Sequence, residues 1–191
     1  MKKTRHVKSS APGSRRSVPS FRSFEPSASA PLTAAVLTIS DSSSRGERAD
    51  LSGPAVAEAL TKQKFQVVSR AVVPDDQPTI QKTLLELSQK VRLVVTTGGT
   101  GIAPRDVTPE ATRAVCEKLV EGMAERMRLE GGKKTRYAAL SRGVCGVRGK
   151  TLILNLPGSP SGAVQSLQAV IELLPHALAL AGGNTKHGDH E

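Results

Sequence analysis

From residue 34 the chain runs Ala34-Ala35-Val36-Leu37-Thr38-Ile39, apolar at nearly every position rather than at alternate ones. That pattern predicts a strand buried on both faces. Similar runs at 65–73, 91–97 and 151–155 predict three more strands. Between the second and third, Ile80, Leu84 and Leu87 recur at i, i+4 and i+7, the stripe of a helix. Ser52 as N-cap with Pro54 in the first turn predicts a helix after the first strand. Thr108-Pro109 opens another, with Ala111, Val115 and Leu119 expected on one face. The last helix is expected to start at Ser159-Pro160 and to carry Val164, Leu167, Ile171 and Leu174, with Pro175 kinking or ending it. Residues 143–150, punctuated by Gly143, Gly146 and Gly149, read as an extended or hairpin segment feeding the strand at Thr151. The alternation of strand and helix predicts an α/β fold, a three-layer α/β/α domain on a mostly parallel sheet with one mixed edge.

Composition sharpens this picture. A chain of 191 residues suits one domain with a buried core. With 38% hydrophobic but 2% aromatic residues, the core must be built from Val, Leu, Ile and Ala, as in a parallel sheet covered by helices. The formal charge of +10 is unevenly placed: residues 1–31 carry +6, leaving +4 for the rest. The charge therefore marks a basic extension, expected to be disordered, ahead of a domain at 32–182 and a short tail at 183–191. Its Arg- and Ser-rich, acid-poor composition is also that of an organelle presequence, whereas Arg15-Arg16 lacks the apolar run of a twin-arginine signal. A domain with so few aromatic residues has little to stack on bases, so no nucleic-acid partner is expected. No stretch reads as a membrane span, and a cytoplasmic protein is the expectation. Cys116 and Cys145 lack a CxxC partner and read as inert thiols.

Each irregular polar loop follows a strand, and ligands of open α/β sheets sit beyond the carboxyl ends of the strands. In the loop Thr97-Gly98-Gly99-Thr100-Gly101-Ile102-Ala103-Pro104-Arg105-Asp106-Val107-Thr108, three glycines let a phosphate approach the backbone closely. It lacks the Gly-Lys-Ser/Thr of a Walker loop and the GxGxxG of a dinucleotide fold. A purely structural turn is the alternative. Asp75 follows one strand and Asp106 lies in the loop after the next, so one ligand could touch both. Two carboxylates beside a phosphate loop suit Mg²⁺, which takes one or two carboxylates with phosphate oxygens and water. Either acid could instead be a turn or helix-approach residue. Asp76 reads as an N-cap. Asn155-Leu156-Pro157-Gly158-Ser159-Pro160 is a second anion or nucleotide contact, or an ordinary strand-to-helix turn. His6, His176, His187 and His190 lie in tails or late on the last helix, and no nucleophilic triad can be assembled. Positioning and electrostatics remain as the means of catalysis.

The segments "LTISD", "DLSGP", "VVPDD", "TTGGTGIAPRDVTPEAT" and "ALSRGVCGVRGKTLILNLPGSP" stand in the order found in the molybdopterin adenylyltransferases, which the chain resembles over residues 33 to 180. The same pattern is similar to the G domain of gephyrin and its plant counterpart. The resemblance implies a homotrimer and an adenylyl transfer, in which the terminal phosphate of molybdopterin attacks the α-phosphate of ATP and releases diphosphate. It implies Asp75 and Asp106 as the functional acids and metal ligands. Gly98, Gly99, Thr100 and Gly101 fall on the phosphate loop, and Asn155, Pro157 and Gly158 on the nucleotide contacts. Ser141 with Arg142 corresponds to the pterin-phosphate side, as does the first loop with Ser40, Asp41, Asp50 and Ser52. A molybdenum insertase is the implied downstream partner. One departure stands out: Gly131-Gly132 replaces a Ser-Leu common in the family, so a pterin hydroxyl donor is missing and the helix should break there. The competing readings are a non-adenylating paralogue that keeps the fold and a scaffold domain. The retained Asp75 and Asp106 argue against the first, and the scarcity of room for further domains against the second and against an insertase.

Overall fold

A computed structural model of the chain describes residues 32–184. The expected basic extension, and the end of the expected tail with His187 and His190, lie outside the described residues. A six-stranded sheet in the order β2-β1-β3-β6-β5-β4 is built from β1 (Thr33–Ile39), β2 (Gln66–Val73), β3 (Leu93–Thr97), β4 (Lys118–Leu119), β5 (Cys145–Arg148) and β6 (Thr151–Leu156). β2, β1, β3 and β6 run parallel, and β5 and β4 add an antiparallel edge. The mixed edge follows from the Gly149 turn, whose φ of 53° reverses the chain between β5 and β6.

Both faces of the sheet are covered, which explains the unbroken apolar runs. On one face Val36, Leu93, Leu152 and Leu154 pack with helices α2 (Ser52–Lys62), α5 (Glu121–Gly132), α6 (Pro160–Val170) and α7 (Leu174–Ala181). On the other, Leu37, Ile39, Val94 and Ile153 meet α3 (Gln77–Ser88) and α4 (Thr108–Val115) through Ile80, Leu84, Leu87, Ala111 and Val115. Because β1 leads to α2 on one face and β3 leads to α4 on the other, the loops after β1 and β3 diverge, opening a crevice between adjacent strands.

Three local expectations are corrected. Ser52 is the first residue of α2 rather than its cap, and Leu51 occupies the cap position without a side-chain bond. The capping is done from Asp50, whose Oδ1 accepts from Gly53 N at 2.9 Å. Leu119 does not extend the face of α4: that helix stops at Val115, Cys116 turns extended, and Glu117 N donates to Val147 O as the chain joins the sheet at β4. As expected of Pro175, the last helix is interrupted: a 3₁₀ turn at Ile171–Leu173 separates α6 from α7, and Pro175 stands in the first turn of α7. Its buried face uses Ala163 with Leu167, Ile171 and Leu174, while Val164 is half-buried. This stretch, Pro160–Ala181, is also long and apolar enough to pass as a membrane span by composition, with a mean hydropathy of 1.3. Its apolar residues instead fill one side of the sheet's core. As expected, α5 breaks off at Gly131-Gly132.

Candidate functional site

β1 ends at Ile39, and extended Ser40 caps the short helix α1 (Asp41–Ser44) by accepting from Ser43 N at 3.2 Å. Asp41 and Asp75 are then joined reciprocally. Asp41 N donates to Asp75 Oδ2 at 2.8 Å, and Asp75 N donates to Asp41 Oδ1 at 3.1 Å. Arg105, reaching from the loop after β3, grips the Asp41 carboxylate with Nε at 3.0 Å and Nη2 at 2.7 and 2.8 Å. That grip holds the Asp41 carboxyl below its ordinary range, against an opposing effect of burial. Asp75 goes the other way: burial pushes it up, and the charges of Asp41 and Asp106 add to the rise, while the Asp41 N–H and Arg105 resist it.

Glycines let these groups crowd together. A β-carbon on Gly98 would lie 2.1 Å from Ile39 O, and its φ of 106° is foreign to other residues. One on Gly99 would strike Thr108 Oγ1 at 2.3 Å and press on Asp75 Oδ1 at 3.2 Å, and one on Gly101 would press on Asp106 Oδ2 at 2.8 Å. The two acids thus pack against glycines of one loop. Asp106 Oδ2 is also fixed by Ala103 N at 2.8 Å. The loop is tied down by Thr108 Oγ1 donating to Gly98 O at 2.9 Å and by Gly98 N donating to Leu156 O at 3.2 Å. Thr97 Oγ1 donates to Pro157 O at 2.7 Å, joining β3 to the turn after β6.

Between the loops lies a cleft of about 380 Å³. Of the residues singled out in the sequence, Ser40, Asp50, Ser52, Asp75, Gly98, Gly99 and Gly158 line it. Asp50 is the pivot of the first loop, receiving Thr38 Oγ1 at 2.8 Å, Ser52 Oγ at 3.3 Å and Gly53 N. Asp41, Thr100, Gly101, Asp106, Pro157, Ser141, Arg142 and Asn155 stand outside the lining. Asn155 is 2% exposed, and its amide is spent inside the protein: Nδ2 donates to Thr96 Oγ1 at 3.0 Å and Thr112 Oγ1 at 2.9 Å, and Oδ1 accepts from Val144 N at 3.3 Å. It is a strut under the site, where a nucleotide contact was expected. Arg142 is likewise spent, on Gly101 O, Asp106 O and Glu110. Ser141 closes the 3₁₀ turn Arg136–Leu140, its Oγ accepting from Gly143 N at 3.4 Å.

Sequence reasoning missed Arg48, an exposed cation that lines the cleft and forms no ion pair among the described residues. Its neighbour Arg45 is taken by Glu47 at 2.7 Å, and no spacing rule separates the two. Arg105 and Glu110 were also missed, although both stand inside the long Gly/Thr/Asp motif. Asp76 caps α3 as expected, accepting from Thr79 N at 3.0 Å. The cysteines are shielded: burial pushes Cys145 up to about 12 and Cys116 up to about 11, so neither supplies a thiolate at neutral pH.

Among the described residues there is no cluster of three or more His, Cys, Asp or Glu that could cage a metal. A pair of acids beside a glycine loop would suit a hard cation that takes its other ligands from water and an anionic substrate. Asp75 offers Oδ1 for that purpose, since its backbone partner uses Oδ2, and its raised pKa marks a carboxylate that a nearby cation would relieve.

Residues 35–176 match the family described as "Probable molybdopterin binding domain". The chain is 46% identical over 155 residues to the molybdenum cofactor synthesis protein cinnamon of Drosophila melanogaster, covering 79% of this chain and 26% of that one. It spans, that is, about a quarter of the insect protein's length. To the molybdopterin adenylyltransferase of Helicobacter pylori it is 42% identical over 153 residues, covering 78% of this chain and 87% of that one. The crystal structure of the molybdopterin biosynthesis enzyme MoaB from Thermus thermophilus is similar with a TM-score of 0.76 and 52% identity, over 80% of this chain and 97% of that one.

Proposed function

Since this chain belongs to the molybdopterin-binding domain family, with a role in molybdenum cofactor biosynthesis, we propose that it is a molybdopterin adenylyltransferase working on ATP with Mg²⁺. The observation that carries the reading is the joining of Asp75 and Asp106 to one glycine loop at the edge of a cleft between β1 and β3. Among the named relatives, the H. pylori enzyme is matched over most of its own length.

In the reaction, a terminal phosphate oxygen of molybdopterin forms a bond to the α-phosphorus of ATP in line with the departing bridge oxygen. The bond from the α-phosphorus to that oxygen breaks, and diphosphate leaves with the electron pair. The task of the protein is to bring two anions together and hold them in line. Gly98 and Gly99 let phosphate approach the backbone without a side chain in the way. The first turn of α6 also faces the cleft through Ser159 and Pro160, and its free N–H groups favour an anion there. Arg48 supplies a positive charge to the same space. Asp75 and Asp106 would hold Mg²⁺. When bound, the ion neutralises phosphate charge and orients the oxygens around the α-phosphorus.

The reading also carries a homotrimer, a molybdenum insertase as consumer of the adenylylated product, and a cytoplasmic setting. Exposed Leu129, Tyr137 and Leu140, near the end of α5, are apolar surface that self-association would cover. Sedimentation velocity tests the assembly. The reaction is tested by incubating the protein with ATP and molybdopterin, with and without Mg²⁺, and following adenylyl-molybdopterin and diphosphate. Equal, Mg-dependent formation of both is expected. Nucleotide binding with no product would instead favour a binding paralogue.

A further inference from the structure

The loop that carries Asp106 has an exposed tip, Ile102 to Arg105, with Ile102 70% exposed and the Arg105 side chain 64% exposed. Within the tip Asp106 N donates to Ala103 O at 2.9 Å, and from outside it Arg142 closes the neck. Arg142 Nε donates to Gly101 O at 2.6 Å and Nη2 donates to Asp106 O, the two carbonyls that bracket the tip. Arg142 N donates to Thr100 O at 2.8 Å, one residue before the neck. The remaining guanidinium nitrogen, Nη1, meets the Glu110 carboxylate, which stands in the first turn of α4. A planar five-donor fork suits this, since it can hold two carbonyls and one carboxylate at fixed angles. Lysine could supply the charge but not the geometry.

Resting on the adenylyltransferase reading, we propose that Arg142 and Glu110 are positioning residues: Arg142 clasps the neck of the loop and so fixes the Asp106 backbone, and Glu110 fixes Arg142. The pair acts on the reaction through Asp106, and through Arg105, which the same tip delivers to Asp41. It does not bind the phosphate of the pterin substrate. The two nitrogens that hold the neck, Nε and Nη2, are engaged by protein carbonyls, so a substrate phosphate could recruit them only by releasing the neck.

The test uses the full chain with Arg142→Lys and Glu110→Gln, separately and together, with circular dichroism to check folding. Glu110→Gln, conservative in shape, carries the test if Arg142→Lys does not fold. In steady-state assays kcat is expected to fall by about tenfold, with KM for molybdopterin and ATP within about twofold, as a displaced acid predicts. The double variant should be no worse than Arg142→Lys, because both remove one clasp. Independently of activity, amide hydrogen exchange across residues 101–108 should accelerate about tenfold or more while β1 and β3 stay protected. A rise in KM for molybdopterin with kcat unchanged would make Arg142 a substrate ligand and overturn the proposal, as would unaltered exchange in the loop. If the parent protein forms no adenylylated product, the functional reading fails by itself and the exchange data alone decide on the clasp.

Discussion

Asp41 and Asp75 each donate a backbone N–H to the other's carboxylate, so the loops after β1 and β2 are locked into one unit across the edge of the sheet. The two acids carry opposite burdens. Arg105 relieves Asp41, while burial leaves Asp75 a carboxylate that resists ionisation. One carboxylate braces the site, and the other lines the cleft.

The pH dependence of stability follows from the sign of the Asp75 shift. Its folded pKa is raised, so the native state holds a proton that the unfolded chain gives up, and stability falls as pH rises from the unfolded value of about 3.8 through the folded one. Asp75→Asn removes that loss while its amide oxygen can still accept from Asp41 N. The variant should melt higher than the parent at pH 7, and the gap should close near pH 3 in thermal scans. Its adenylyl transfer should fall by at least about a hundredfold.

Arg105 and Asp41 are too exposed to matter much for global stability. Arg105→Ala should therefore leave the melting curve nearly unchanged, yet free the first loop and lower kcat by about tenfold. Because Asp41 has a lowered pKa, the grip is complete above the unfolded carboxylate value and is lost as pH falls through the folded one. Quenching of a fluorophore placed on α1 should report that loosening on acidification in the parent and be flat in the variant.

Asn155 separates strut from ligand. Asn155→Ala strands the Val144 N–H and removes two bonds to buried threonines, a cost of about 2–4 kcal/mol. A melting point lowered by about 8 °C is expected. In the fraction that folds, KM for ATP should stay within about twofold, whereas a nucleotide contact would raise it tenfold.

Gly98→Ala should be among the most damaging single changes. It forces a β-carbon onto Ile39 O at a backbone angle that only glycine tolerates well, costing about 3 kcal/mol or more. Chemical denaturation should show a lowered midpoint with unchanged slope. By contrast Gly149→Ala, with the same sign of φ but open space around it, should cost about 1 kcal/mol.

Much of this protein was legible in the chain itself. The doubly buried runs set β1, β3 and β6, because a strand covered on both faces has no polar position to spare, whereas β2 is an edge strand exposed or half-buried along most of its length; Ile80, Leu84 and Leu87 set the face of α3. Gly98 and Gly99 of the loop after β3 marked one wall of the cleft, since the backbone angles they require are local properties. What the chain did not reveal depends on distant partners. Cys116 leaves the helical path because β5 offers it a strand to join, and Leu119 follows. Asn155 and Arg142 were read as ligand groups because a polar residue in a loop motif has the same appearance whether it faces solvent or a buried hydroxyl. Only the packing of β6 against β3 and α4 gave Asn155 its threonines, and only the fold of the neck gave Arg142 its carbonyls. Patterns along the chain fix what a segment prefers, but hydrogen-bond partners 30 to 60 residues apart are decided by tertiary structure alone.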